Sequence, residues 1–285
     1  MSTNGCFQPL KTTKRMKPIF YSLCLLSLFS VFSCKKEKKK DHHSEKTAQV
    51  DTFSYHWATD SASWGKTTAA YNQKSRPLAS VRYQYPVLDG PARSSKVIGR
   101  INRCILRCPK LISSDSIPKV PAAFFSEYQK LKDEIPDYQT PWSYTIKAAV
   151  LENSPKVFSV AVKEISYMGG AHDQVSQHLQ SFVPATGDTL TLQTLFGPKL
   201  ASAEAIASSY FRKKYRLNDG QSVNSQGFWF ENDKFSLPNN FAIINDSIRF
   251  LYNPYEIAPF AMGSITIKLP LDTLRNCISI KTLKK

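Results

Sequence analysis

Residues 166–178 read SYMGGAHDQVSQH and set His172, Asp173 and His178 behind the pair Gly169-Gly170. A histidine beside a carboxylate is the material of an acid–base pair, and two histidines with an aspartate could hold a metal ion. The spacing argues against the metal. On a strand, a six-residue step at about 3.3 Å each separates the two histidines by about 20 Å. On a helix, the same step of about 100° per residue puts them on different faces. Gly169 and Gly170 supply the backbone freedom of a structural turn, so the segment reads as a turn between two strands. His172 then sits in a loop, where function concentrates. It either holds the loop by hydrogen bonds from its ring to the backbone or contacts a ligand.

Other catalytic signatures are absent from the sequence: it has no GxSxG elbow, P-loop, HExxH pair or dinucleotide fingerprint. Asp133, Glu134 and Glu204 are scattered without a pairing signal. The sequence names no catalytic residue, no metal site and no cofactor.

The amino end carries a different chemistry. Lys11, Lys14, Arg15 and Lys17 precede an apolar run from Ile19 to Phe32, too short for a comfortable membrane span and matching the core of an export signal. The run ends Val31-Phe32-Ser33-Cys34, a pattern resembling a bacterial lipobox, with Cys34 as the lipidated residue. Met16 opens a leader of ordinary length and is the expected start. Residues 1–33 are thus expected to be a lipoprotein signal peptide, and residues 34–75 the lipidated cysteine with a basic tether. That tether begins KKEKKKDHHSEK; its lysines can lie on anionic headgroups at roughly 1 kcal/mol each.

The 285-residue chain has a formal net charge of +16. The four cations of residues 1–33 and the +3 of residues 35–41 account for part of it, leaving about +9 on the rest. That charge suits anionic neighbours such as headgroups or acidic glycans. No nucleic-acid motif is visible, and nucleic acid is a poor partner for an exported lipoprotein. Beyond residue 34 the cysteines are Cys104, Cys108 and Cys277. Cys104 and Cys108 fall on one face of an expected helix, about 5–6 Å apart at Cβ, and read as small buried apolar residues. A bridge from either to Cys277 stays open.

Alternation of apolar residues marks strands at 79–88, 143–152, 156–168 and 177–184, with further short strands in GFWFEN, NNFAII, DSIRFLYN and SITIKLPL. Helical spacing appears at about 95–108, from Pro121 to Pro136, and at 199–217, where Leu200, Ala203, Ile206, Ala207, Tyr210 and Phe211 form a stripe. This order implies an α+β fold of antiparallel sheets with packed helices, in two associated subdomains.

Two stretches, SYMGGAHDQVSQHLQSFVPATGDTLTLQTLF (166–196) and FSLPNNFAIINDSIRFLYNPYEIAPFAMGSITIKLPL (235–271), resemble the opening and close of a domain family of bacterial envelope proteins. The pattern is a Gly-Gly-Ala-His turn, a strand and a TG/LF hairpin, and the run from Tyr252 to Gly263 is its most specific part. Upstream, VRYQYPVLDG and INRCI resemble the companion domain that precedes it. The same pair forms the extracellular part of RsiV-type anti-sigma factors, which sense lysozyme, and accompanies PdaC-like peptidoglycan deacetylases. The resemblance implies a PdaC-like α+β domain over 76–165 and an RsiV-like α+β domain over 166–285. In the deacetylases catalysis belongs to a separate domain, which is not expected here. The anti-sigma role needs a spanning segment and a cytoplasmic helix, and neither is expected. Tyr252, Tyr255, Glu256 and Phe260 are candidates for a recognition surface with His172; equally, Tyr255 and Phe260 could be core, and Glu256 could cap a turn.

The expected protein is a non-catalytic, lipid-anchored member of the cell envelope on the outer-membrane side, since Lys35 rather than Asp follows Cys34. Its expected partners are the membrane, through the anchor, and a cell-wall glycan or protein ligand such as peptidoglycan or a lysozyme-like protein. The rival classes are an inhibitor or sensor of lysozyme-like hydrolases, and a glycan-modifying enzyme using His172 with Asp173.

Overall fold

The computed structural model describes residues 52–67, 74–90 and 94–283. Cys34, the leader and the lysine stem lie outside these residues.

Strand β1 (Ser54–Trp64) pairs antiparallel with β2 (Ala79–Asp89). Composition assigned residues 54–64 to the tether, because only the Phe-Ser-Tyr-His-Trp group and Trp64 look like strand. They form a strand because β2 supplies a partner along their whole length. A sheet edge needs no buried alternation on both sides, and β1 is mostly exposed.

Helix α1 (Ser95–Leu106) starts at Ser94, whose hydroxyl accepts from Val97 N–H, and buries Val97, Ile101 and Ile105 at helical spacing. It stops short of Cys108, which lies in the following loop. Helix α2 (Val120–Glu134) carries Pro121 in its first turn and buries Val120, Phe124, Phe125 and Tyr128. Together α1 and α2 form the crossover to β3 (Trp142–Asn153), which pairs with β2 in parallel. The sheet is therefore mixed rather than purely antiparallel, because a long two-helix connection returns the chain in its original direction. Next come β4 (Phe158–Tyr167) and β5 (Gln174–Phe182), both antiparallel to their neighbours, completing the order β1-β2-β3-β4-β5. A boundary at residue 165 would cut β4, since β4 and β5 both belong to this first sheet.

The TG/LF segment is not a full hairpin. A single bridge joins Phe182 to Thr189, and Leu192–Phe196 then coils into the short helix α3. The sequence cause is Thr191: its hydroxyl and that of Thr194 cap each other's backbone N–H reciprocally. Helix α4 (Leu200–Lys214) follows and buries Ala203, Ala207 and Phe211, while Tyr210 stays exposed. Arg212, Lys213 and Lys214 fall in its last turn, favourable to the helix dipole. The GFWFEN segment is irregular around a one-turn helix at Glu231–Asp233, not a strand. The second sheet is antiparallel: β6 (Phe241–Ile244), β7 (Ser247–Tyr252) and β8 (Ile265–Pro270). Asn245, with φ of 51°, makes the tight turn between β6 and β7.

Two apolar cores result. Helices α1 and α2 cover one face of the first sheet, with Phe124, Tyr128, Tyr144 and Val162 fully buried or nearly so. Helix α4 covers the second sheet around Phe211, Phe230 and Phe250. Cys104 and Cys108 belong to the first core and Cys277 to the second, and all three are free thiols. Burial pushes the Cys108 thiol up to about 12, and the nearby Glu164 charge adds to the rise. The fold is α+β, with a mixed five-stranded and an antiparallel three-stranded sheet as two subdomains. Among the described residues no helix is long and apolar enough to cross a membrane.

A polar seam joins the subdomains. A small apolar group of Ala161, Leu179, Ala242 and Leu251 lies at its centre. Around it, Ser159 Oγ donates to Ile243 O at 2.7 Å, and Ser181 Oγ accepts from Ile243 N–H at 2.9 Å. The two hydroxyls lie 2.7 Å apart. Ser159 spends its only proton on the carbonyl, so Ser181 donates to Ser159 and both of these buried hydroxyls are satisfied. Strand β5 is the free edge of the first sheet. Asn240 Oδ1 accepts from Leu179 N–H at 2.7 Å, and Asn253 Oδ1 accepts from Gln177 N–H at 2.7 Å. Both asparagine amides donate to Gln177 O. The second subdomain thus closes with side chains an edge that would otherwise expose unpaired backbone.

Candidate cleft between the Gly-Gly loop and the Asn253–Gly263 loop

Residues 168–173 connect β4 to β5. Gly169 takes φ of +84°, and a Cβ there would collide with the Tyr138 hydroxyl. Glycine is needed here for both backbone conformation and room. Trp142 Nε1 donates to that hydroxyl at 3.0 Å, which fixes it against the loop. Gly170 is exposed in the same loop. His172, also exposed, bonds the Asp173 backbone carbonyl through Nδ1 at 2.9 Å. It does not pair with the Asp173 carboxylate, so the two do not form an acid–base couple.

The His172 ring stacks on Phe260, with centroids 3.8 Å apart and planes 15° off parallel. Tyr255, at φ of 69° and 61% exposed, stands 5.7 Å from Phe260. These three rings belong to two loops separated by most of the second subdomain. Together with Ser176, His178 and Lys110 they line a cleft of about 570 Å³. Glu256 lines it too, but both its oxygens accept from Asn253, one from the backbone N–H at 2.9 Å and one from the side-chain amide at 3.3 Å. It therefore caps its own turn. Tyr252 does not join the surface. It is buried in the core of the second subdomain, and its hydroxyl donates to the Ser236 carbonyl. Burial, then the charges of Glu204 and Glu256, raise its pKa. Strand alternation accounts for this: Phe250 and Tyr252 point into the core from β7.

Behind the cleft lies a group not singled out from the sequence. Glu164 on β4 is fully buried, and its carboxylate accepts from four neighbours. Lys110 N–H lies 2.9 Å from Oε1, Leu111 N–H 3.1 Å from Oε2, and His178 Nε2 3.0 Å from Oε1. The Tyr144 hydroxyl also donates to Oε2. Burial by itself would raise the carboxyl pKa. The hydrogen bonds from His178, Tyr144 and the two backbone amides outweigh it and hold the group below its ordinary value. Tyr144 moves the opposite way: burial first, then the adjacent carboxylate, raise its pKa.

Because an ionised Glu164 can only accept, the bonded His178 nitrogen carries a proton. Ser176 Oγ approaches that same nitrogen at 3.2 Å. A nucleophilic triad needs the carboxylate and the hydroxyl on opposite ring nitrogens. Here both meet Nε2, so serine, histidine and glutamate are gathered without forming one. A signal for Glu164 was present in the sequence. It follows Val160 and Val162 at even positions of the same strand, where alternation demands an apolar residue. His178 lies opposite Val162 and Ser176 opposite Glu164 in the ladder, which places all three polar groups on the helix-covered face. His172 and His178 line one cleft but belong to a loop and a strand. Among the described residues no cluster of three metal-ligating side chains occurs.

The comparisons agree with this architecture. Residues 72–174 match the family described as "Deacetylase PdaC", and residues 193–272 match "Protein of unknown function (DUF3298)". A DUF3298-family crystal structure from Bacteroides fragilis is 15% identical, with a TM-score of 0.63 over 83% of this chain and 98% of its own. Another, from Pseudomonas aeruginosa, is 14% identical, with a TM-score of 0.56 over 81% of this chain and 96% of its own. At these identities the likeness speaks for the fold alone. No curated protein matches the sequence. The chain joins a PdaC domain to a DUF3298 domain, the pair found in RsiV-like proteins.

Proposed function

We propose that this is a lipid-anchored protein of the cell envelope that binds a cell-wall glycan in the cleft, without transforming it. The observation that carries the binding role is the aromatic wall: His172 stacked on Phe260 with Tyr255 beside it, facing polar Gln174, Ser176 and His178. A sugar ring offers an apolar face to such a wall and hydroxyls to the opposite side. Two features speak for binding over catalysis. His172 bonds a backbone carbonyl, and the Glu164, His178 and Ser176 group converges on a single nitrogen. The formal charge of about +9 on residues 42–285 disfavours a strongly basic protein such as a lysozyme as the ligand. The anchoring half rests on the lipobox-like Val31-Phe32-Ser33-Cys34, and outer-membrane placement on Lys35.

The test is retention on purified peptidoglycan. The native chain is expected to be held, and Phe260→Ala to bind about three- to tenfold more weakly, as loss of one stacking partner implies. Equal retention of the two proteins would remove the cleft from the account. For the anchor, mass spectrometry of the mature amino end is expected to find acyl chains on Cys34; a bare thiol behind an intact leader would overturn it.

A further inference from the structure

The face of the first sheet opposite α1 and α2 is covered by the second subdomain over β4 and β5, where Ala161 and Leu179 meet Ala242 and Leu251, and at the end of β3, where Leu151 joins the same group. Over β1, β2 and β3 it forms a separate shallow groove of about 580 Å³, lined by Thr59, Ser61, Arg82, Gln84, Thr145 and Lys147. The strand registers fix which side chains share it. One row across the sheet is Thr59, Gln84, Lys147, Lys163 and Gln177; the next is Ser61, Arg82, Thr145, Ile165 and Val175. Arg82, Lys147 and Lys163 are all exposed. No carboxylate occurs in either row.

Two details set this face apart from an ordinary solvated surface. Lys147 and Lys163 are direct cross-strand partners, so two like charges are held side by side, an arrangement that costs stability unless an anion lies between them. One carboxylate, Asp60, also lines the groove, but its oxygens are engaged: it accepts from the Ser61 N–H at 2.7 Å and from the Tyr83 hydroxyl at 3.2 Å. Along β1 the row continues into Trp57 and Tyr55. They are 42% and 36% exposed, and their rings meet edge to face at 5.7 Å. The face therefore combines a groove of fixed positive charge, hydroxyl and amide side chains with two exposed aromatic rings further along β1.

We propose that this sheet face is a second binding surface, distinct from the cleft, for an extended acidic polysaccharide. The Lys147–Lys163 pair and Arg82 take carboxylate or phosphate groups borne on the sugars. Thr59, Ser61, Gln84 and Thr145 meet hydroxyls, and Trp57 stacks on a ring with Tyr55 set against it edge to face. The interleaved polar side chains favour a polysaccharide over a lipid surface, which needs apolar groups to insert among acyl chains.

The test uses the full chain in detergent micelles, with polygalacturonate as the carboxylated probe and dextran as the neutral one. Polygalacturonate is expected to bind, dextran not, and binding to weaken as salt rises. The triple variant Arg82→Gln, Lys147→Gln, Lys163→Gln is expected to lose at least about tenfold in affinity, and Trp57→Ala about threefold or more. Phe260→Ala is expected to leave this binding unchanged, which separates it from the cleft. All these side chains are exposed or half exposed, and unchanged circular dichroism and thermal midpoints check that each variant folds. Unaltered polygalacturonate binding by the triple variant overturns the proposal. Charge-dependent binding untouched by Trp57→Ala reduces it to simple ion exchange and overturns the polysaccharide assignment. Capture by phosphatidylglycerol vesicles, lost in the triple variant, without polygalacturonate binding would assign the face to the membrane instead.

Discussion

His178 Nε2 lies 3.0 Å from Glu164 Oε1, joining a fully buried carboxylate to a histidine that borders the cleft. The pair fixes the relation between the loop after α1, strand β4 and strand β5, because the same carboxylate also gathers the amides of Lys110 and Leu111 and the hydroxyl of Tyr144.

Removing that acceptor should be costly. Glu164→Ala leaves two backbone amides and a tyrosine hydroxyl without a buried partner, and is expected to destabilise by about 3–5 kcal/mol. Tyr144→Phe withdraws one donor and should cost about 1–3 kcal/mol. Urea denaturation of both variants checks the order; a Glu164→Ala midpoint equal to the native one would mean the network contributes nothing.

The same carboxylate predicts an acid limb in the stability profile. Its pKa is lower in the folded chain than in the unfolded one. Its contribution is therefore complete above the ordinary glutamate range and is lost as pH falls through the depressed folded value. Glu164→Gln, which cannot ionise, should be less stable at neutral pH and should lose less between neutral and acid pH. Urea midpoints measured from pH 7 to pH 3 for both proteins should converge towards the acid end; parallel curves would contradict the assignment.

Gly169→Ala should destabilise by about 1–3 kcal/mol, because the left-handed backbone and the collision with Tyr138 act together. Gly99→Ala is the contrasting case. This glycine lies inside α1 with open space around its Cβ position, and alanine should stabilise by about 0.5–1 kcal/mol. Opposite shifts in the thermal midpoint confirm the pair; shifts of the same sign would refute the local explanation.

Asn240→Ala and Asn253→Ala each strip an acceptor from a β5 amide at the subdomain seam. Each should cost about 1–3 kcal/mol. The double variant should depart from additivity, because both amides serve Gln177 O. Amide exchange at Gln177 and Leu179 should quicken in the matching single variants, and unchanged exchange would show that the edge is protected some other way.

Much of the scaffold was legible because its patterns are local. The stripe Val97, Ile101 and Ile105 made α1 visible, and Pro121 and Pro136 bracketed α2. Asn245 marked the β6–β7 turn and Gly169-Gly170 the connection from β4 to β5. Local pattern did not reach β1, a mostly exposed edge strand that pairs with β2 along its whole length. The TG/LF hairpin of the family resemblance did not show the short helix Leu192–Phe196, which the reciprocal caps of Thr191 and Thr194 start. The parallel pairing of β2 with β3 was hidden as well, since nothing within either strand states its direction.

The site divides the same way. His172, Tyr255, Glu256 and Phe260 could be singled out by type and by family resemblance, yet nothing in their order showed that His172 would lie flat on Phe260. Nor did it show that Tyr252 would turn inward. Glu164 left a trace as an acid in an apolar register, but its partners come from three separate segments. Sequence alone determined the α+β class, the turns and the charge, because propensity and periodicity act between near neighbours. Tertiary structure decided which polar groups lost water and which rings met, because both depend on contacts between residues far apart in the chain.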